Sequence, residues 1–159
     1  IRDVAVTGVQ TCALPILPLV IAGTQIEEIQ SGDTYNLGTG ATATTPTFTN
    51  PTVTNYVETA YTANSSTAIT VDLANGTVQI LTLTGNCTLT MPTAVAGKSF
   101  VILLKQDATG SRTITWTTVA WPGGTAPTIT STASKQDIYS FFSDGSKWYG
   151  TTIGQNYTY

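Results

Sequence analysis

The chain contains no histidine and few charged residues. Asp, Glu, Lys and Arg together make up 9% of its 159 residues, against about 25% in ordinary soluble domains. Without histidine, the sequence lacks the usual general base, the Ser/His and Cys/His catalytic arrangements and the commonest metal ligand. The net charge of −3, with only six basic residues, argues against a nucleic-acid surface. We expect no enzymatic activity, no metal site and no cofactor.

Long apolar runs are also missing from the sequence. A helix that spans a membrane needs about twenty apolar residues, and the best stretch, residues 13–22 (ALPILPLVIA), is shorter and contains two prolines. A secretory signal needs a basic start and an uninterrupted apolar region, whereas Arg2 stands beside Asp3 and polar residues follow. We therefore expect neither a secretory signal nor insertion into a membrane.

The first sixteen residues differ in composition from the rest of the chain. Residues 6–16 (VTGVQTCALPI) resemble the translation of a widely used sequencing-library adapter. The residues before them fit the adapter's preceding bases (residues 1–3) and a sample index (residues 4–5). We interpret residues 1–16 as an artefact of read assembly, to be excluded from the fold. The authentic chain is then expected to begin near Leu17 and to be truncated upstream; the alternative is a genuine N-terminal segment.

This interpretation leaves Cys87 as the one authentic cysteine, because Cys12 belongs to the adapter-like segment. A single cysteine can form neither an intrachain disulfide nor a cysteine-based metal site. Cys87 lies in the strand-like stretch NCTLT. We expect it to be a buried small hydrophobic residue.

Threonine takes the place of charge in this sequence, with 34 residues among 159. Its β-branched side chain fits a pleated surface, and its hydroxyl keeps the outer face of a sheet hydrated. Residues 17–56 are predicted to form one extended region, which is polar from residue 24 onward and includes two adjacent pentapeptides, PTFTN (46–50) and PTVTN (51–55). This region is either a disordered polar linker or an extended shaft in which three chains share an apolar axis.

Residues 57–159 are predicted to form a compact all-β domain. Short β-rich segments alternate with turn signals such as Asn75-Gly76 and Asp144-Gly145, which is typical of an antiparallel β-sandwich or a jelly-roll-like barrel. The predicted strands are 68–73, 77–84, 87–91, 99–106, 112–118, 127–131, 136–142 and 147–153. The predicted core comprises Phe100, Ile102, Leu104, Ile114, Trp116, Ile138, Phe142 and Trp148.

One predicted strand, SFVILLKQ (99–106), is apolar on both faces. Phe100, Ile102 and Leu104 share one face, while Val101 and Leu103 lie on the other. A strand of this kind is either central in the fold or has its outer face covered by a neighbouring subunit.

Two kinds of candidate site residue stand out. Trp121 lies in a Pro-Gly-Gly loop, where its ring could be exposed for a sugar to stack on it, or could fold under the loop as a plug. Glycosidase chemistry needs two carboxylates across a cleft, one with a raised pKa. The carboxylates of the domain lie at predicted strand ends or turns, where Asp commonly caps backbone groups instead; they are Asp72, Asp107, Asp137 and Asp144.

Residues 46–158 resemble the C-terminal part of tailed-bacteriophage fibre-like virion proteins, especially those from environmental samples. The resemblance lies in PTFTNPTVTNYVETAYT, NGTVQILTLTGNCTLTMPTAVAGKSFVILLKQ, WPGGTAPTIT and DIYSFFSDGSKWYG. It implies a trimeric virion appendage whose distal domain assembles the fibre or contacts the host, with other virion proteins and possible host-surface carbohydrate as partners. An adapter-derived scar also fits a metagenomic viral sequence.

The sequence therefore favours a virion structural protein, a tail fibre or related appendage. The alternative is a carbohydrate-binding β-sandwich module of a secreted bacterial protein. Oligomeric state separates them, since such a module is expected to be a monomer and the fibre a homotrimer. We expect the trimer to be held mainly through residues 25–61, whose isolated apolar residues one chain cannot bury alone; these are Ile26, Ile29, Leu37, Phe48, Val53 and Val57.

Overall fold

The computed structural model describes residues 19–22, 25–28 and 50–159. The chain divides into two compact units, Ile1–Pro51 and Thr52–Tyr159. In the first unit, strands β1 (Leu19–Ala22) and β2 (Gln25–Glu28) pair antiparallel. The predicted artefact, residues 1–16, and the first pentapeptide up to residue 49 lie outside the described residues.

The second unit consists of strands, and its described residues include no α-helix, only a short 3-10 turn at Pro122–Gly124. The predicted all-β class is therefore confirmed. Six strands form one sheet in the order β3-β5-β7-β10-β11-β9, and three form a second sheet in the order β4-β6-β8. The bounds are β3 Ala60–Ser65, β4 Ala68–Thr70, β5 Val78–Leu83, β6 Cys87–Thr90, β7 Ser99–Gln106, β8 Ile114–Trp116, β9 Val119–Ala120, β10 Lys135–Ser143 and β11 Trp148–Thr158.

The first six strands of this unit are wound as three stacked coils. Each coil places one strand in the six-stranded sheet and the next in the three-stranded sheet: β3 with β4, β5 with β6, and β7 with β8. Strands of successive coils pair parallel, as in β3 with β5 and β5 with β7, and in β4 with β6 and β6 with β8. The predicted antiparallel pairing is therefore wrong for this half of the domain.

Antiparallel pairing is found where a hairpin closes the stack. Strand β10 runs antiparallel to both β7 and β11. The turn between β10 and β11 is the predicted Asp144-Gly145, where Gly145 has a φ of 97°, a conformation that glycine adopts without strain. The Asp144 carboxylate accepts hydrogen bonds from the backbone N–H groups of Ser146 and Lys147, which fixes this turn.

The core lies between the two sheets. Leu81 and Ile102 of the six-stranded sheet belong to one buried cluster with Cys87 and Leu89 of the three-stranded sheet. Cys87 is 3% exposed, as predicted for a small buried residue. Of the eight predicted core residues, four are buried, namely Phe100, Ile102, Leu104 and Trp148, while Ile114, Trp116 and Ile138 are half-buried.

Phe142 was predicted in the core and is 52% exposed. Both faces of β10 carry apolar residues, so alternation alone does not choose between them. The strand register determines which face of β10 is buried. Tyr139 lies opposite Ile102 and Phe141 opposite Phe100, so the odd-numbered residues of β10 share the buried face of β7. Phe142 therefore points to the opposite side of the sheet.

The predicted strand at 127–131 is absent, because side chains take up the backbone hydrogen bonds of this segment. The Thr130 N–H donates to Asp137 Oδ2 at 2.7 Å. The Thr130 carbonyl accepts from Gln106 Nε2 at 2.8 Å, and the Thr128 carbonyl accepts from Gln155 Nε2 at 2.7 Å. A strand that the sequence analysis omitted, β3, instead forms one edge of the larger sheet.

Candidate functional site

Trp121, the sequence-predicted ligand-binding residue, lies in the core with 9% of its surface exposed. Its ring packs edge-on against Trp116 and Tyr139, with centroid distances of 5.2 and 6.0 Å. It also contacts Phe141 at 5.8 Å. Trp121 therefore lies under its loop, as the plug interpretation expects. Sugar binding by the chain stays a prediction, and Trp121 offers no free ring face for it.

Strand β11 packs against the Trp121 ring at Gly150. A Cβ atom added at Gly150 would lie 2.7 Å from Trp121 Cζ3 and 2.9 Å from Val119 Cγ1. Glycine at this position is what lets the indole approach the backbone of β11. The Nε1 atoms of Trp116 and Trp121 are both buried with no hydrogen-bond partner among the described residues. This aromatic cluster therefore acts in packing, and its two unpaired indole N–H groups are buried within it.

Asp107 and Asp144 are engaged by groups of their own turns. Asp107 accepts hydrogen bonds from the backbone N–H groups of Thr109 and Gly110. Its Oδ2 also forms an ion pair with Arg112 Nη2 at 2.8 Å. The hydrogen bond from Arg112 is the main cause that lowers the pKa of Asp107. The backbone N–H groups of Ser146 and Lys147 lower the pKa of Asp144. Both carboxylates thus remain ionised well below neutral pH.

Asp137 is the buried carboxylate of the domain, with 2% of its surface exposed. Burial alone would raise its pKa, but the backbone N–H of Thr130 at 2.7 Å and that of Asn156 at 2.9 Å outweigh burial, and the pKa is lowered. The hydroxyl of Tyr139 donates to Asp137 Oδ2 at 3.0 Å. Burial and the adjacent carboxylate in turn raise the pKa of Tyr139.

These four carboxylates accept backbone hydrogen bonds that hold turns and loop segments in place. A glycosidase acid needs a raised pKa, whereas the pKa values of Asp107, Asp137 and Asp144 are lowered, and Asp72 accepts the N–H of Ala74 in its own turn. Within the described ranges, no three His, Cys, Asp or Glu side chains are grouped so as to hold a metal ion. No helix in the described part of the chain is long and apolar enough to cross a membrane.

Apart from Val95, the exposed large apolar side chains of the described residues fall into two groups, of which the sequence analysis named Val53 and Val57 as expected trimer contacts. One group lies in the segment that leads into β3, where Val53, Tyr56 and Val57 are 57%, 67% and 93% exposed. The other lies on the last two strands and the C-terminus and comprises Phe142, Tyr149, Ile153, Tyr157 and Tyr159. The apolar pattern on both faces of β7 was a sequence signal for the face on which Phe142 and Tyr149 lie, but not for the other members of the second group.

The comparisons with known proteins give a family for this all-β chain. Residues 44–148, about two thirds of the chain, match the model of the family described as "Putative phage tail fibre C-terminal domain". The chain belongs to this family. A search of curated proteins and a search of solved structures each gave no match.

The family match confirms the resemblance to phage tail fibres. The matched residues run from the segment before β3 to the first residue of β11. They therefore contain all three coils and strand β10. The protein is a virion-associated structural component of a phage tail fibre, and its family is structural rather than catalytic.

Proposed function

We propose that the chain forms the distal part of a homotrimeric tail fibre or related appendage, and that it acts by multivalent binding. The distal β domain serves either fibre assembly or contact with the host surface, where carbohydrate is the expected receptor chemistry. The family match supports the tail fibre role. The trimer extends that role by a physical argument about exposed apolar side chains.

The main support for the proposed trimer is the exposure of Val57. This valine is 93% exposed, and Val53 and Tyr56 beside it are 57% and 67% exposed. Fixing the backbone of each residue costs about 1–2 kcal/mol, and a single chain buries little apolar surface here to offset that cost. Three copies around an axis bury these side chains against each other, because each apolar stripe then faces two others.

We call residues 50–57, which precede β3, the lead-in segment; its composition suits such an assembly. Residues 50–57 (NPTVTNYV) include no charged side chain, so identical copies can approach without repulsion between like charges. Their Thr and Asn side chains can stay hydrated at the outside of the bundle. The first charged residue after them, Glu58, is already engaged, since its carboxylate accepts hydrogen bonds from the Tyr56 and Thr77 hydroxyls at 3.2 and 2.6 Å.

The test is a light-scattering measurement of molar mass on residues 17–159 and on residues 57–159, both at micromolar concentration. We expect a trimer from the longer chain. A trimer from the longer chain together with a weaker assembly or monomer from the shorter one indicates that residues before 57 hold the trimer. Monomers from both would overturn the proposed homotrimer.

A further inference from the structure

The six-stranded sheet has an apolar face that no described strand covers. We call it the outer face; it points away from the three-stranded sheet. Within β5, β7 and β10 the residues between the buried ones point outward, and all of them except Phe142 are half-buried. The aliphatic members of this set are adjacent across the strands, and they are Val78, Ile80, Val101, Leu103 and Ile138.

The register joins these residues into one continuous patch. Val78 lies opposite Val101, and Ile80 lies opposite Leu103, which is also opposite Ile138 on the next strand. At one end the patch continues into Phe142 and its partner Tyr149, which are 52% and 45% exposed. Aliphatic residues therefore occupy its centre and aromatic residues its rim.

The patch is large enough to form part of an interface. Its named residues lie on four strands and span four residue steps, from Ile138 to Phe142, so three strand spacings of about 4.8 Å and four steps of about 3.3 Å give roughly 14 by 13 Å between backbone positions. The resulting area is on the order of 200 Å², below the few hundred Å² of the largest apolar patch on a typical monomer. A protein interface of standard size buries about 800 Å² per partner, so this face provides about a quarter of one, and the exposed residues before β3 would add to it.

The chemistry of the patch identifies the kind of partner. A sugar would need hydrogen-bonding groups beside an aromatic ring, whereas most side chains at the centre of the patch are aliphatic, with Ser140 opposite Val101 as a polar neighbour. The charged side chain on the outward side of β7 is Lys105, whose Nζ lies 4.3 Å from the centre of the Tyr159 ring. The aliphatic part of the face carries no charge, and Glu58 at its margin accepts hydrogen bonds from the Tyr56 and Thr77 hydroxyls, so three identical faces can meet around a three-fold axis without strong repulsion between like charges. A second copy of this chain therefore fits it best.

We infer that the outer face of the six-stranded sheet is a subunit interface, buried against a second copy of the chain; this rests on the proposed homotrimer. The chain enters the sheet through β3, directly after the exposed lead-in residues. Three lead-in segments that share an axis would bring the adjoining sheets close together. A groove of about 300 Å³ beside Glu58, Ser99 and Val101 gives a partner side chain space to enter.

The test compares two matched substitutions in residues 17–159. Val101→Thr places a hydroxyl in the centre of the outer face and keeps the β-branched shape. Val95→Thr makes the same exchange at a valine that is 50% exposed and lies in the loop before β7, outside this face. The chain concentration at which half of the trimer is dissociated is measured by sedimentation equilibrium in the analytical ultracentrifuge. Circular dichroism checks that each variant is folded.

We expect Val101→Thr to raise the half-dissociation concentration about fivefold or more, because each copy loses a buried methyl contact, and Val95→Thr to leave it unchanged. The double variant Val101→Thr/Leu103→Thr should enlarge the effect while the circular dichroism spectrum is kept. A wild-type trimer that both Val101 variants leave equally stable would overturn the interface and retain the proposed trimer. A monomeric wild type would instead overturn the trimer itself, and the interface with it.

Discussion

At the residue scale, the tryptophans of the domain differ in how their indole N–H groups are satisfied. Trp148 is 2% exposed, and its Nε1 donates to the carbonyl of Pro92 at 2.8 Å. Trp121 is almost as buried, yet its Nε1 has no partner among the described residues. An unpaired buried donor costs free energy, while a paired one contributes modestly. The same substitution should therefore have different effects at these two positions.

We expect Trp148→Phe to lower the free energy of unfolding by about 1–2 kcal/mol more than Trp121→Phe does. Both exchanges remove the same volume, but only the first leaves the Pro92 carbonyl without its donor. Chemical denaturation followed by circular dichroism measures the two values, and each variant serves as the other's control for lost volume. Equal losses would show that the hydrogen bond to Pro92 contributes nothing net.

A second prediction concerns Gly150, over which the Trp121 ring lies. Gly150→Ala should destabilise the domain by about 1–3 kcal/mol, because the added methyl group overlaps the indole and the surrounding core is closely packed. Thr151→Ala, at the next, exposed position, should change stability by less than about 0.5 kcal/mol. Thermal unfolding of both variants tests this. A Gly150→Ala protein as stable as the Thr151→Ala protein would show that Trp121 can shift without cost.

Asp137 gives a prediction for pH dependence. Its pKa is lowered in the folded chain, so the native state binds this proton more weakly than the unfolded state does. The resulting stabilisation is complete above the unfolded carboxyl pKa of about 4, and it is lost as the pH falls through the lower native value. Asp137→Asn should therefore cost about 2–3 kcal/mol at pH 7, and the difference from wild type should shrink below about pH 4.

Denaturant titrations at pH 7 and pH 3 measure this difference. Asp72→Asn is the matched control, because Asp72 is exposed and its Oδ1 accepts the N–H of Ala74 within its own turn. Its effect should be small at both pH values. A difference between Asp137→Asn and wild type that is the same at pH 7 and pH 3 would contradict the role of the ionised carboxylate.

At the scale of the elements, strand position sets the order of local stability. Strands β7 and β10 have a neighbouring strand on both sides, whereas β3 pairs with β5 alone and β9 with β11 alone. Amide hydrogen exchange should therefore be slowest in β7 and β10 and faster in β3 and β9. Mass-spectrometric exchange of residues 17–159 gives this order. Protection of β3 equal to that of β7 would indicate that another chain pairs with the β3 edge.

The elements also show how far the sequence predicts the fold. Strand β7 was predicted with its observed bounds, Ser99–Gln106, because alternation, β-branched residues and flanking turns agree there. Parallel pairing was not predicted, because contacts between residues distant in sequence determine which strands pair, and no local sequence pattern contains that information. The same holds for residues 127–131, whose backbone partners are the side chains of Gln106, Asp137 and Gln155, all distant in sequence.

The candidate site was harder to predict than the fold. A tryptophan in a Pro-Gly-Gly loop has the same local sequence whether it is exposed or buried. For Trp121 the outcome depends on Gly150, whose missing side chain leaves room for the indole, and nothing near Trp121 in sequence records that. The outer face, by contrast, was visible in part, because Val101 and Leu103 are apolar where a solvent-facing strand would alternate with polar residues.

At the scale of the whole molecule, the adapter interpretation predicts that residues 1–16 contribute nothing to folding. Deleting them should leave the midpoint of thermal unfolding unchanged, because residues 52–159 form a compact unit by themselves. Calorimetry of residues 1–159 and 17–159 under identical conditions makes the comparison. A drop of several degrees, about what a loss of 1 kcal/mol causes in a domain of this size, would show that the segment belongs to the fold.

The stacked coils also bear on how such a tail fibre domain can evolve. Each coil pairs in parallel with the next, so one coil can be inserted or lost while the pairing rules at both of its edges stay the same. Duplication of the middle coil, residues 78–98, would move the closing hairpin about 4.8 Å farther from β3. Recombination between related phages can thus change the length of the stack in fixed increments while the hairpin and its aromatic cluster are kept intact.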